Sequence, residues 1–191
     1  MGQYYKACLI TELDFRVIEP NWSKLMEHSY YWNLTMKRVE KLLSMWSRRV
    51  IWMGDYAECS PLCRTYRSDS NEDRFWADYD KCDKELLLER EEWKNYYLLN
   101  YSKDEFINMT RQEMNKDLQD GFWWVVHPLP LLTRATTEFA SWDYRSELNL
   151  DKLWRWCWDK IYIMSSDIEL ENNLIKQREM KDMTDVLCFK E

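Results

Sequence analysis

Three glycines, Gly2, Gly54 and Gly121, are all that this chain of 191 residues carries. Average usage of about 7% would supply roughly 13. A loop that cradles a phosphate brings backbone N–H groups against the anion, and it needs glycines in series to do so. Neither a G-x-G-x-x-G nor a G-x-x-x-x-G-K pattern occurs, so nucleotide fingerprints are excluded. The opposite excess is in large rings: 12 Trp, 12 Tyr and 6 Phe. A small core holds only part of such a load, which leaves half-exposed rings with their polar edges in water. A chain of this length makes one domain.

The net charge of -7, from 27 basic and 34 acidic residues, has the wrong sign for a general nucleic-acid binder. Direct nucleic-acid binding is therefore disfavoured, and an acidic surface suits approach to a basic partner. Lys37, Arg38 and Lys41 on one predicted helix, with Arg48 and Arg49 after it, make a modest basic stripe that reads as a solvated helix face. No apolar run approaches the roughly 20 residues of a membrane span, and the opening MGQYYKACLI lacks a signal-peptide pattern, so a cytoplasmic protein without membrane contact is expected.

Short β-prone runs at Tyr4–Ile10 and Phe15–Ile18, separated by the polar turn Thr11–Asp14, predict a hairpin. Trp22, Leu25, Met26, Ser29, Asn33, Met36, Val39, Leu43 and Trp46 recur at intervals of three or four, which predicts one long amphipathic helix. Arg49–Met53 reads as a strand that stops at Gly54–Asp55. Residues 57–83 turn polar and aperiodic, as in a surface insertion, and a short helix is expected over Lys84–Lys94. Tyr96–Asn100 and Glu105–Met109 flank a polar turn and predict a second hairpin. Thr110 with Glu113 suggests a capping box for a helix over Arg111–Gln119 that ends at Asp120–Gly121. Phe122–Val126 reads as a buried strand, halted by Pro128 and Pro130. The alternation of Trp154, Trp156 and Trp158 predicts a strand running on to Ile163, with a bulge at Asp159–Lys160.

The blocks MGQYYKA, KLMEHS, VIWMGDYAE, YYLLNYSKDEFI, HPLPLLT, WDYRSE and WCWDKIYI follow one another in that order. Together they resemble an uncharacterised family found in phages, prophages and bacteria. The resemblance spans most of residues 1–163. It implies a phage or mobile-element protein acting inside a bacterial cell, and it supplies no catalytic residues. Where the family has a glycine-rich stretch after HPLPLLT, this chain runs Arg134 to Tyr144 without glycine. Where the family hairpin has a histidine, this chain has Tyr101.

The only histidines are His28 and His127. With Asp55 they could form an acid–base or metal-holding set if the fold brought them together. Taken singly, each histidine reads as a hydrogen-bonded structural residue and Asp55 as a turn residue. Cys59 and Cys63, with Cys82 further on, lack a fourth ligand and read as free thiols. No metal and no cofactor is expected.

The expected fold is α+β: one domain over residues 1–166, a mainly antiparallel sheet of two hairpins plus further strands, with the long helix packed on one face. Residues 167–191 form a charged, helical C-terminal tail. The expected function is non-enzymatic binding of a host protein, such as a basic nucleic-acid-binding effector. Inhibition of a bacterial defence system, for example as an anti-CRISPR, is the concrete case. Tyr30, Tyr31, Trp32, Trp142 and Tyr144 are the candidate partner-binding residues, because exposed Trp and Tyr are the material of interface hot spots. The rival is a nucleotide- or metabolite-binding enzyme using His28, Asp55 and His127.

Overall fold

The structure, a computed structural model, describes residues 4–10, 15–18, 23–29, 33–54, 96–109, 116–119, 122–135, 155–165 and 169–187. The insertion at 57–83, the helix expected over Lys84–Lys94, Thr110, and the three cysteines Cys59, Cys63 and Cys82 lie outside these residues.

Strand alternation organises the molecule. In β1 (Tyr4–Ile10), Tyr5, Ala7 and Leu9 enter the main core while Cys8 enters a second cluster on the opposite face. In β4 (Arg48–Gly54), Val50 and Trp52 take the first side and Ile51 and Met53 the second. Period two is what a pleated strand imposes, and burial on both faces explains why these runs are almost continuously apolar.

The central sheet runs β11-β6-β5-β10-β4-β1-β2, with β3 added to β1 and β9 to β4. β1 and β2 (Phe15–Val17) pair antiparallel, as do β5 (Tyr96–Asn100) and β6 (Glu105–Asn108), so both expected hairpins form. β10 (Lys160–Ser165) pairs antiparallel with β5 along its length and with β4 only at Arg48 and Arg49. β3 (Ser23–Lys24) is antiparallel to β1, whereas β9 (Arg134–Ala135) and β11 (Lys181–Asp182) are parallel to β4 and β6. The architecture is α+β with a mostly antiparallel sheet, as the sequence leads one to expect.

The long helix is divided. Leu25–His28 make a single turn, α1, and Leu34–Met45 make the 12-residue α2; Tyr30, Tyr31 and Trp32 between them lie outside the described residues. Asn33 starts α2: its side chain accepts from Thr35 N–H at 2.7 Å and Met36 N–H at 3.4 Å. Thr35, Met36, Val39, Leu42 and Leu43 turn inward, and α2 packs over β10 and β1. Trp46, expected on the apolar stripe, falls just past the helix in extended backbone at φ -152°, so helical periodicity no longer governs it.

Three other expectations are corrected. The helix expected up to Gln119 gives way to β7 (Lys116–Gln119), which pairs antiparallel with β8 (Phe122–Val125) as a separate two-stranded sheet. Gln119 pairs with Phe122, leaving Asp120–Gly121 between them, and Asp-Gly is as much a two-residue hairpin signature as a helix stop. Pro128–Thr133 forms a short helix, α3, where the sequence suggested only a stop. Proline in the first turn suits a helix start because the missing N–H has no partner there anyway. Arg155–Trp158 is a turn, not a strand; Trp158 sits at φ 67° and β10 begins only at Lys160.

Past β10, α4 (Glu169–Gln177) is followed by β11 and a 3-10 turn at Thr184–Leu187. Met180 joins Leu99 and Met164 in a cluster on the sheet's second face, flanked by Leu174 and Ile175 of α4. Met183 enters the main core. Arg178 lies over the Tyr101 ring at 5.0 Å, and Tyr101 stacks on Tyr162.

Candidate functional site

The main core contains a polar triad drawn from three separate elements: Glu40 of α2, Tyr96 of β5, and His127 between β8 and α3. His127 is 0% exposed and Glu40 1%. Burying such groups is costly unless they are hydrogen-bonded, and here they bond to one another. His127 Nε2 lies 2.9 Å from Glu40 Oε1 and 3.1 Å from Tyr96 OH, and the Tyr96 hydroxyl also donates to Glu40 Oε1.

The remaining contacts fix the histidine's tautomer. His127 is the N-cap of α3, with Nδ1 accepting from Leu129 N–H at 3.1 Å. A ring nitrogen that accepts carries no proton, so the imidazole proton sits on Nε2 and points at Glu40. The His127 backbone N–H donates to Ser29 O at 2.5 Å, and Ser29 Oγ–H donates to Leu25 O at 2.6 Å, which ties α1 to α3. At the other end of α3, the Trp156 N–H donates to Leu132 O at 2.8 Å. Glu40 Oε2 is buried without a hydrogen-bond partner among the described residues.

A second polar cluster joins the β5–β6 hairpin to the turn before β10. Buried Glu105 accepts from Trp156 Nε1–H at 2.8 Å and from Arg155 Nε–H at 3.1 Å, with Arg155 Nη2 completing a bidentate pair. Lys103 Nζ stands 2.7 Å from Asp159 Oδ2, which also accepts from Asn100 Nδ2–H at 2.8 Å. Burial alone would raise the Glu105 carboxyl. The hydrogen bonds from Arg155 and Trp156, with the charges of Arg155 and Lys103, outweigh burial and hold it below the ordinary carboxylate value. Its hydrogen bond to Glu105 holds the Arg155 guanidinium above its own ordinary value, against some desolvation. This cluster reads as a staple between elements.

Of the residues expected to form an acid–base set, the structure describes the surroundings of His127 only. Asp55 and the side chain of His28 lie outside the described residues. What His127 meets is Glu40 and Tyr96, neither of which the sequence marks. Trp142 and Tyr144, like Tyr30, Tyr31 and Trp32, also lie outside the described residues. Among the described residues no group of three or more His, Cys, Asp or Glu could hold a metal ion, and the Cys8 thiol donates to Lys6 O at 3.7 Å. No described helix is long and apolar enough to cross a membrane.

The outer surface offers a different candidate. Among the described residues, four large hydrophobic side chains are exposed: Trp46 at 59%, Met45 at 50%, Leu34 at 45%, and Tyr4. Three of the four belong to α2 and its C-terminal cap. Leu34, Arg38, Lys41 and Met45 follow one another at intervals of four, three and four, which aligns them along one helical face, and Lys37 lies beside them. The face opposite the core is thus an apolar–cationic ridge, with the apolar groups at its ends standing farthest out.

Comparison with known proteins returned no match: no family model, no curated protein and no solved structure is similar to this chain.

Proposed function

We propose that this chain is a non-enzymatic binding protein that works by protein–protein contact, and that the outer face of α2 with Trp46 is its contact surface. The observation that carries the reading is the exposure of Leu34, Met45 and Trp46 on one element among three cations. Exposed rings and thioethers beside arginine are the composition of interface hot spots. The triad supports the same reading from the inside. Both nitrogens of His127 are engaged and its ring is out of reach of solvent, so it holds α3 in place and presents no reactive group to a substrate.

The resemblance of the sequence blocks to a phage and prophage family makes a bacterial host protein the natural partner. An effector of a defence system, such as a CRISPR complex, is the specific case.

The test is affinity capture from bacterial lysate with the native chain and with a Met45→Ala, Trp46→Ala variant. The reading expects a specific partner that the variant loses while its circular dichroism is unchanged. Capture unaffected by the double substitution overturns the placement on α2, and absence of any specific partner overturns the function.

A further inference from the structure

The segment that follows β10 is held by two unequal grips that meet at Glu179. Past that residue the hold is firm. Lys181 N–H donates to Asp104 O at 2.7 Å and Met183 N–H to Phe106 O at 2.8 Å, while Thr184 Oγ1 accepts from Asn108 N–H at 2.9 Å. Met180, Met183 and Thr184 are buried. Ahead of Glu179 the hold is lighter. The described apolar side chains of α4, Leu174 and Ile175, are half-buried, and Asn173, Lys176 and Gln177 are exposed. Beneath the helix lie Tyr97, Tyr101, Phe106 and Tyr162, also half-buried, around buried Leu99 and Met164. The same three strands close their other face completely, with Leu98, Ile107 and Ile161 sealed from solvent. The cover that α4 gives to the second face is therefore partial.

A polar latch closes the C-terminal end of α4. Arg178 Nε–H donates to Asp104 Oδ1 at 2.6 Å and its Nη2–H to Tyr101 O at 3.2 Å. The guanidinium also lies over the Tyr101 ring, which stacks in turn on Tyr162. Side-chain exposures of 38% and 48% leave the Arg178–Asp104 pair within reach of water, where ion pairs are weak and sensitive to salt. Both residues that present the latch's backbone are left-handed, Asp104 at φ 50° and Glu179 at φ 52°. At Glu179 the helix closes with Glu179 N–H on Lys176 O and Met180 N–H on Ile175 O, a turn that glycine fits best. Strained backbone of this kind gathers at switch regions, where neighbouring contacts hold it.

We propose that α4 is a lid held down by the Arg178–Asp104 latch. On release it swings about Glu179 and uncovers the aromatic face of β5, β6 and β10, while β11 stays in place. Ionic strength is the signal, since the latch is an exposed ion pair. Opening of this kind needs less free energy than global unfolding, because few apolar contacts are lost and the edge of β6 keeps its partner strand. The device is separate from the α2 surface, which lies across the opposite face of the sheet, so its failure leaves the binding reading untouched.

Hydrogen exchange of the full chain tests the lid. The variants are Arg178→Ala and Asp104→Asn, the latter keeping a residue that tolerates left-handed backbone. In both, the amides of residues 173–177 should exchange roughly twofold to fivefold faster, the range that an exposed ion pair commands. The amides of Lys181 and Met183 should be unchanged. The native chain moved from low salt to about 1 M sodium chloride, where the screening length is about 3 Å, should show the same selective acceleration, and the variants should gain nothing further. At low salt, fluorescence of anilinonaphthalene sulfonate, a dye for exposed apolar surface, should be higher with both variants than with the native chain. Acceleration shared by Lys181 and Met183 overturns the lid, because α4 and β11 would then open as one unit. Unchanged exchange at residues 173–177 across the salt series overturns it without recourse to any variant. Acceleration there with no gain in dye fluorescence overturns it too, since the sheet face would then stay covered.

Discussion

His127 Nε2 stands 2.9 Å from Glu40 Oε1 in a core closed to solvent, and the other nitrogen of the same ring holds the first turn of α3. One side chain thus joins α2 to α3 through its two edges, and Tyr96 adds β5 to the junction. Removing the carboxylate should therefore be felt across three elements.

Glu40→Ala leaves the His127 Nε2–H and the Tyr96 hydroxyl without their common acceptor. Breaking one side of a buried polar pair costs about 3 kcal/mol or more. Urea unfolding should show a loss of that order, with a smaller loss for Glu40→Gln, which keeps the acceptor oxygen. Equal unfolding midpoints for Glu40→Ala and the native chain would show that the triad adds no stability.

Two substitutions at His127 separate its two roles. His127→Asn keeps an acceptor at the N-cap of α3 and loses the bond to Glu40, whereas His127→Ala loses both. The Asn variant should be the more stable of the two by about 1 kcal/mol, the typical worth of a cap. Identical denaturation curves would mean that the contact to Leu129 N–H is not a working cap.

Acid should release the staple at Glu105. Its folded carboxyl lies below the ordinary value, so the unfolded chain binds the proton more readily as pH falls. The stabilisation is therefore present above the unfolded value and is lost as pH drops through the folded one. Urea midpoints followed from neutral pH into the acid range should fall for the native chain, and less steeply for Glu105→Gln. Parallel profiles would remove Glu105 as the group responsible.

Trp158 offers a reversal of the usual ranking of glycine and alanine. Its φ of 67° is left-handed, which costs a residue with a Cβ about 1–2 kcal/mol. Both Trp158→Gly and Trp158→Ala lose the packing of the ring beside Cys8, Ile51 and Met53, but only glycine relieves the backbone. Trp158→Gly should unfold at a higher urea concentration than Trp158→Ala. The opposite order would show that the turn relaxes out of the left-handed region.

Local alternation made the sheet legible in the sequence. Tyr4–Ile10, Arg49–Met53, Tyr96–Asn100 and the two hairpin turns announce themselves because each strand's two faces enter different apolar clusters. Short-range signals that serve two structures were less decisive. Asp120–Gly121 fits a helix end and a hairpin equally, and Pro128 and Pro130 both end a strand and open a helix. The spacing of Trp154, Trp156 and Trp158 suggested a strand, but Trp156 turns inward to Glu105 and Trp158 reverses the chain. The triad was hidden for another reason. Glu40 sits at the edge of the apolar stripe of α2, where a glutamate is ordinarily solvated, and only the non-local approach of β5 and α3 supplies its partners. Of its members, His127 alone stood out, because the chain has so few histidines. The exposure of Trp46 depends on where α2 stops, and periodicity does not fix that point.

On the function proposed above, the molecule acts through the outer face of α2 while the buried Glu40–Tyr96–His127 triad holds the fold. Hydroxyl-radical footprinting of the full chain, free and in complex with the captured partner, tests it most directly, because Trp46 and Met45 are both reactive and exposed. These two side chains should become protected in the complex, and Tyr4 should not. Undiminished labelling of Trp46 and Met45 in a complex that protects other residues would contradict it.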